Sequence, residues 1–215
     1  GVFDIGEQLR INGPLLAMII AAFVAEAFAV SRSGSLGLDR SRVEASVPWV
    51  LAAVVVAGRL VFVAREPDVY LQRPVDVLVI RSGIDFYGAL VGAAVFVAWR
   101  FPGVRWPALA LLALAMLAAV TAQRAGCVIG NHCHGAATDG PLGLPFPGLD
   151  GRRYPSQPME AFLAGLLLLA LLRATGRGPL QLVGLALVGY GALRLLVEFT
   201  RVRVDAFAGL SASQV

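Results

Sequence analysis

Six long apolar runs are the feature that most restricts how this chain can fold. They cover residues 14–31, 47–64, 84–100, 107–123, 158–174 and 179–199. A helix needs about 20 mainly apolar residues to cross the hydrocarbon core of a bilayer. Hydrophobic residues make up 58% of the chain, whereas soluble domains contain roughly 45–50%. The sequence therefore predicts an all-α, polytopic membrane protein, a bundle of about six transmembrane helices.

The loops between the runs predict the orientation of the chain. The loops after the first, third and fifth runs are short and contain several arginines. Because arginine in short loops favours the cytoplasmic side, we expect the N-terminus outside and the 124–157 segment in a loop at the outer face. No linker or fixed-period repeat is visible, so residues 1–215 are predicted to form a single transmembrane domain.

All 18 basic residues of the chain are arginine, and the formal net charge is +4. Loop arginines of a membrane protein orient the chain and meet anionic headgroups. We therefore expect an anionic phospholipid, and no nucleic acid, as a partner.

The last apolar run contains charges that a lipid-facing helix would exclude. Tyr190, Arg194, Glu198 and Arg201 are spaced four, four and three residues apart, which places them on one helical face. A charged residue at the centre of a membrane helix costs about 2.5–3.5 kcal/mol on insertion scales. One interpretation is a self-neutralising pair of Arg194 with Glu198. That pair leaves the other two residues unexplained, so we favour a pocket in which arginine binds an anionic headgroup.

Two earlier runs contain further polar candidates. Arg59 lies inside the second run, where it can either extend to the membrane interface or line a cavity. Tyr87 opens the third run as either an interfacial tyrosine or an acid–base group. Gly88 and Gly92 follow it, and their four-residue spacing predicts a close helix contact.

The segment QRAGCVIGNHCHG, residues 123–135, combines an arginine with both histidines of the chain. His132 and His134 flank Cys133, but the spacing from Cys127 is neither a zinc-ribbon nor a haem signature. We therefore predict no metal site, and no cofactor. The dense glycines, Gly135 among them, predict a tight chain path near a ligand.

The segment RRYPSQPME, residues 152–160, places two polar side chains at the start of the fifth run. Gln157 and Glu160 can stabilise the helix N-terminus through capping and its dipole. They can equally contact a ligand, and the sequence leaves both interpretations open.

Taken together, these motifs resemble the prolipoprotein diacylglyceryl transferase family. The resemblance follows the chain in order through AGRLVFVAREPDVYLQRPVDVLVIRSGIDFYGALVG, QRAGCVIGNHCHG, LPFPG, RRYPSQPME and GYGALRLLVEFTR. It implies transfer of the diacylglyceryl group of phosphatidylglycerol to the lipobox cysteine of a preprolipoprotein, with release of glycerol 1-phosphate. It also implies a location in the bacterial cytoplasmic (inner) membrane. FAGLSASQV, residues 207–215, is similar to the lead-in to a seventh helix, which is either absent from the protein or missing from this sequence.

The resemblance also implies roles for individual residues. Arg124 and Arg194 would hold the lipid phosphate, Glu198 would orient Arg194, and Arg201 would support the headgroup site. The family has His or Tyr at the position of Tyr87. Since histidine titrates near neutral pH, we predict that His134 or His132 acts as the base while Tyr87 positions the headgroup. The predicted substrate-binding set is Arg59, Arg124, Gly135, Gln157, Tyr190 and Arg201.

The chain departs from the family signature at three positions. It has Cys127, Gly130 and His132 where the family commonly has Asn, Asn and Glu. These departures suggest a second hypothesis, a non-catalytic relative that binds lipid or serves as a structural subunit of a membrane complex.

Overall fold

The computed structural model describes residues 2–4, 10–65, 67–77, 83–174, 176–201, 205–207 and 210–211. Seven α-helices occur within these residues: α1 (Gly13–Arg32), α2 (Arg40–Arg65), α3 (Pro67–Gln72), α4 (Phe86–Arg100), α5 (Arg105–Ile129), α6 (Ser156–Arg173) and α7 (Pro179–Glu198). Three antiparallel pairs of very short strands accompany them: β1 (Val2–Asp4) with β2 (Arg10–Asn12), β3 (Leu144–Pro145) with β4 (Arg152–Arg153), and β5 (Asp205–Phe207) with β6 (Leu210–Ser211).

The predicted all-α membrane architecture is confirmed. Five helical segments of the described residues are long and apolar enough to cross a membrane, namely Leu15–Leu36, Arg40–Arg65, Pro102–Ile129, Ser156–Arg173 and Pro179–Glu198. The third predicted run forms α4, which is apolar but has only 15 residues. The predicted lead-in to a seventh helix lies mostly outside the described residues.

Two helices extend beyond the apolar runs that predicted them. Helix α2 begins at Arg40, seven residues before the predicted run 47–64, and therefore contains Pro48 in its interior. The Asp39 carboxylate accepts a hydrogen bond from the Arg42 amide, 2.8 Å away, and so caps the earlier start. Helix α5 continues through Arg124 to Ile129, so residues 124–129 of the predicted loop are helical.

The chain divides into two compact units, residues 1–28 with 113–215, and residues 29–112. The single transmembrane domain stays a prediction, as does the outer-face position of the 124–157 segment.

In the unit of residues 29–112, helices α2 and α4 approach closely because glycines line the contact. A Cβ atom added at Gly92 would collide with Ala57 and with the backbone oxygen of Ala53. A Cβ at Gly88 would collide with Val61. The predicted glycine contact is therefore present. The hydrophobic core of this unit consists of Leu38, Val43, Val97, Phe101, Ala108 and Leu111.

In the other unit, the end of α5 packs with α6 and α7 around a small apolar core. Its fully buried members include Ala164 of α6 and Val197 of α7, with Val120 of α5 beside them. The loop after α5 is fixed to this core by backbone hydrogen bonds. Ala136 donates to the Thr200 carbonyl at 2.9 Å, and Tyr154 donates to the Ala136 carbonyl at 3.0 Å. This arrangement holds the histidine-containing loop beside the ends of two helices.

Candidate active site

A buried carboxylate on α6 connects three helices of the unit that contains residues 113–215. Glu160 is only 1% exposed. Its Oε2 atom lies 2.9 Å from Nε of Arg124 on α5 and 3.9 Å from Nη1 of Arg194 on α7. The Tyr190 hydroxyl donates a hydrogen bond to Oε1 at 3.2 Å. One acidic side chain therefore fixes two arginines and a tyrosine, each predicted as a site residue.

The charged face predicted for the last apolar run is present on α7. Nη2 of Arg194 lies 3.0 Å from Oε2 of Glu198, one helical turn further along. Arg201 follows the helix end, and its backbone amide donates to the Glu198 carbonyl at 3.1 Å. The predicted pairing of Arg194 with Glu198 is therefore confirmed. The family resemblance implied that Arg124 and Arg194 share the lipid phosphate, and in the structure both also contact Glu160.

The two arginines are the accessible part of this four-charge cluster. The Arg124 and Arg194 side chains are 17% and 24% exposed, whereas those of Glu160 and Glu198 are 2% and 8% exposed. The formal charges cancel, which lowers the cost of burying them. An approaching molecule nevertheless meets guanidinium groups and not carboxylates. Such a surface has the chemistry that phosphate recognition needs, because the planar guanidinium fork matches phosphate oxygens.

The loop after α5 is fixed to the same helix that carries Glu160. Gln157 lies three residues before Glu160 on α6, and its Nε2 donates to the His132 carbonyl at 2.7 Å. Gln157, a predicted site residue, is only 1% exposed. Its hydrogen bond to His132 positions the loop backbone. The sequence proposed a capping or ligand role for it, and the structure adds this loop contact.

The orientation of His134 is fixed by its neighbour Asn131. Asn131 donates through Nδ2 to the Pro147 carbonyl at 2.8 Å, so its Oδ1 atom faces the histidine. Nε2 of His134 lies 3.0 Å from that oxygen, which makes Nε2 the protonated nitrogen of the neutral ring. The ring also packs edge-on against Phe146. Burial lowers the pKa of His134 and the charge of Arg153 lowers it further, so Nδ1 carries the lone pair of a neutral imidazole.

Two free cysteines lie on either side of His132. Cys127, in the last turns of α5, is buried, and Cys133 is exposed. The pKa of the Cys133 thiol is lowered to about 5, chiefly because the Cys127 thiol donates a hydrogen bond to its sulfur, with His132 contributing. The fold thus brings together residues that the sequence spacing did not associate with a metal.

Comparison with known proteins decides the family. The sequence model described as "Prolipoprotein diacylglyceryl transferase" matches residues 2–215. The chain belongs to the prolipoprotein diacylglyceryl transferase family. The predicted resemblance is therefore confirmed.

Several relatives in the family are named phosphatidylglycerol–prolipoprotein diacylglyceryl transferase. The protein from Geobacter sulfurreducens is 36% identical over 208 residues, which cover 91% of this chain and 79% of the relative. The protein from Roseobacter denitrificans is 35% identical, with 76% and 63% covered. The protein from Nitrosomonas europaea is 33% identical, with 80% and 65% covered. The chain spans less than two thirds of the length of the last two.

Two residues that the family resemblance singled out lie in the unit of residues 29–112. Arg59 is 6% exposed, and its guanidinium donates to the carbonyls of Asp76, Val77 and Gly83 at 2.6, 3.0 and 3.1 Å. This buried position does not fit the interpretation that Arg59 extends to the membrane interface. Tyr87 is 51% exposed in the first turn of α4. A substrate contact of either residue stays a prediction.

Gly135, another predicted site residue of this family member, lies where three segments meet. Its amide donates to the Tyr154 carbonyl at 3.0 Å. A Cβ atom at this position would collide with the Ser156 hydroxyl and the Thr200 carbonyl. The predicted tight chain path is present, and the groups that approach the glycine here belong to the chain itself.

The bridging role of Glu160 is the feature that sequence reasoning missed. Its position near the start of α6 is also typical of a helix-stabilising acid, so two interpretations remained open. Counting the arginines and acids within the apolar runs could have distinguished the two interpretations of Glu160. Arg124 and Arg194 require two compensating acids, and the last run supplies only Glu198.

Proposed function

We propose that this protein transfers the diacylglyceryl group of phosphatidylglycerol to the lipobox cysteine thiol of a preprolipoprotein. We place it in the bacterial cytoplasmic (inner) membrane, which it crosses several times. Membership of the transferase family and the names of the relatives support this activity. The observation that carries the proposal is the exposure of Arg124 and Arg194 above buried glutamates.

Phosphate binding is the first role that we assign to the arginines. Arg124 and Arg194 bind the phosphodiester of phosphatidylglycerol through N–H donors that their carboxylate contacts do not use. Glu160 and Glu198 hold the two guanidinium groups in place, so little conformational entropy is lost when the lipid binds. Tyr190 keeps Glu160 oriented by donating to its other oxygen.

The reaction exchanges one bond to carbon for another. The lipobox sulfur forms a bond to the terminal glycerol carbon of the diacylglyceryl group, and the bond from that carbon to the phosphate oxygen breaks. Glycerol 1-phosphate leaves with the electron pair, while the thiol proton passes to a base. Fixed guanidinium groups stabilise the charge that develops on the phosphate. This stabilisation makes the phosphate monoester an adequate leaving group.

We assign the base to His134. A thiol must lose its proton before it attacks, and neutral His134 offers Nδ1 while Asn131 holds Nε2. His132 is the other histidine candidate, but its Nδ1 already lies 3.2 Å from the Cys133 sulfur. Tyr87 positions the headgroup in this proposal.

The remaining predicted residues support the lipid site. Arg201, one turn beyond Glu198, contacts the glycerol headgroup in this scheme. Gln157 and Gly135 shape the loop that carries the base. Arg59 keeps its predicted contact with the substrate as part of the proposal.

The proposal is tested with the purified full chain in vesicles that contain phosphatidylglycerol labelled in its diacylglyceryl group. We expect label to appear on a lipobox peptide as a thioether, together with equimolar glycerol 1-phosphate. A matched peptide with serine in place of the lipobox cysteine should remain unlabelled. If the cysteine peptide stays unlabelled while the protein still binds phosphatidylglycerol, the protein is a non-catalytic lipid-binding relative and the proposal is wrong.

A further inference from the structure

Cys127, His132 and Cys133 form a cluster of metal-ligand side chains that the transfer reaction does not use. One ligand atom from each residue lies within 4.8 Å of the others. Nδ1 of His132 is 3.2 Å from Sγ of Cys133. A tetrahedral zinc ion binds sulfur at about 2.3 Å and nitrogen at about 2.0–2.1 Å, which puts such ligands roughly 3.5–4 Å apart. The three ligand atoms therefore need only small shifts to enclose an ion: the His132–Cys133 pair opens slightly, and separations near the upper limit close.

The imidazole ring of His132 is held with one edge towards the cysteines. A Cβ atom at Gly130 would collide with Cδ2 and Nε2 of the ring, at 2.7 and 2.8 Å, so glycine leaves room for this opposite edge. The His132 backbone is fixed from both sides. Its amide donates to the Cys127 carbonyl at 3.2 Å, and its carbonyl accepts from Gln157. These contacts orient Nδ1 towards the sulfur atoms before any ion binds.

The backbone turns back sharply to bring Cys133 to the helix end. Asn131 and Cys133 both have positive φ angles, 49° and 63°, which are rare for residues with side chains. Because of this turn, a cysteine six residues after Cys127 returns to the same place. The spacing alone did not indicate this proximity.

We propose that Cys127, His132 and Cys133 bind one Zn²⁺ ion per chain. Both cysteines bind as thiolates and His132 binds as neutral imidazole through Nδ1, so two negative charges balance the ion. Soft thiolate ligands with one imidazole suit zinc, whereas calcium and magnesium prefer oxygen ligands. Three protein ligands leave the fourth tetrahedral position for water or an external donor. The bound ion links the end of α5 to the loop that follows it.

The test uses the full chain in detergent, reduced with a phosphine and stripped of metal with a chelator. The protein is then loaded with Zn²⁺ alone, desalted and analysed for metal content. In parallel, Co²⁺ replaces Zn²⁺, because thiolate ligation of cobalt gives a charge-transfer absorption in the near ultraviolet. We expect one zinc per chain and a cobalt spectrum with thiolate charge transfer.

Variants distinguish this site from non-specific binding. Cys133→Ser changes an exposed residue, so the fold should survive, and zinc binding should be lost, as it should in Cys127→Ser and His132→Gln. The matched control is His134→Gln, which alters the neighbouring histidine and should keep one zinc. Gly130→Ala should weaken zinc binding by about tenfold or more, because it displaces a ligand ring.

Three results would overturn the proposal. The first is the absence of zinc in the reduced and loaded protein. The second is full zinc content in Cys133→Ser, which would place the ion elsewhere. The third is equal zinc loss in His134→Gln and His132→Gln, which would show general disruption of the loop. If the isolated protein contains a Cys127–Cys133 disulfide and takes up no zinc after that disulfide is reduced, this outcome counts as the first result.

Discussion

Nε of Arg124 lies 2.9 Å from Oε2 of Glu160, although the two residues belong to different helices. The contact is an ion pair at Nε, the inner nitrogen of the guanidinium. It fixes the arginine while leaving its terminal nitrogens for the phosphate that we assign to it. The same carboxylate also contacts Arg194 and Tyr190. Glu160 is therefore a positioning residue for the whole cluster.

The first prediction concerns Glu160→Gln. This change leaves two arginines with only Glu198 as a buried acid, and removal of one partner from a buried ion pair costs about 3–5 kcal/mol. We expect a lower midpoint of thermal unfolding in detergent, followed by tryptophan fluorescence, and a large loss of diacylglyceryl transfer. The control is Glu44→Gln on exposed α2 surface, which should leave both quantities unchanged. Unchanged stability in Glu160→Gln would contradict the bridging role.

The second prediction separates the structural role of Arg194 from its role in lipid binding. Arg194→Ala should lower the unfolding midpoint, because Glu198 loses its ion pair with Arg194, and should abolish transfer. The double change Arg194→Ala with Glu198→Ala should recover part of the unfolding midpoint but none of the activity. If activity returned together with stability, Arg194 would be only a structural residue.

The third prediction concerns the proton acceptor. His134→Gln should lower the transfer rate by about a hundredfold or more, within the range of general-base contributions. Tyr87→Phe should mainly raise KM for phosphatidylglycerol, since we assign Tyr87 to headgroup positioning. Initial rates over a series of lipid concentrations separate the two effects. A normal rate in His134→Gln together with an inactive Tyr87→Phe would reverse these roles.

The fourth prediction concerns the glycine contact between α2 and α4. Gly92→Ala places a methyl group against Ala57 and the Ala53 backbone, and overpacking of this kind costs about 1–3 kcal/mol. The matched control is Gly191→Ala in α7, where nothing lies within 4 Å of the added Cβ. We expect a lower unfolding midpoint for the first variant and no decrease for the second. Equal midpoints would show that the α2–α4 contact relaxes easily.

The helices and the charged face of α7 could be predicted from the sequence because both follow from local periodicity. The residue that contacts this face, Glu160, could not be predicted, because its contacts with Arg124 and Arg194 depend on how three helices pack. Arg59 shows the same limit. Its buried contacts with backbone carbonyls come from residues 17 to 24 positions away, and no local pattern in the sequence encodes them.

The proximity of Cys127, His132 and Cys133 could not be predicted from the sequence for a different reason. Metal-site spacings in sequence motifs assume ordinary turns, whereas two residues with left-handed backbone conformation form this turn.

The boundaries of some helices also differ from the predicted ones for local reasons. Asp39 caps α2 early enough to place Pro48 inside the helix, which the apolar pattern alone did not indicate.

The most direct test of the central claim is the position of the lipid phosphate in an electron-density map of crystals grown in a mesophase that contains phosphatidylglycerol. We predict density for a phosphate group within about 2.7–2.9 Å of guanidinium nitrogens of both Arg124 and Arg194, with Glu160 still bound to Arg124. A phosphatidylglycerol headgroup bound elsewhere, with the two arginines contacting only Glu160 and Glu198, would contradict the account.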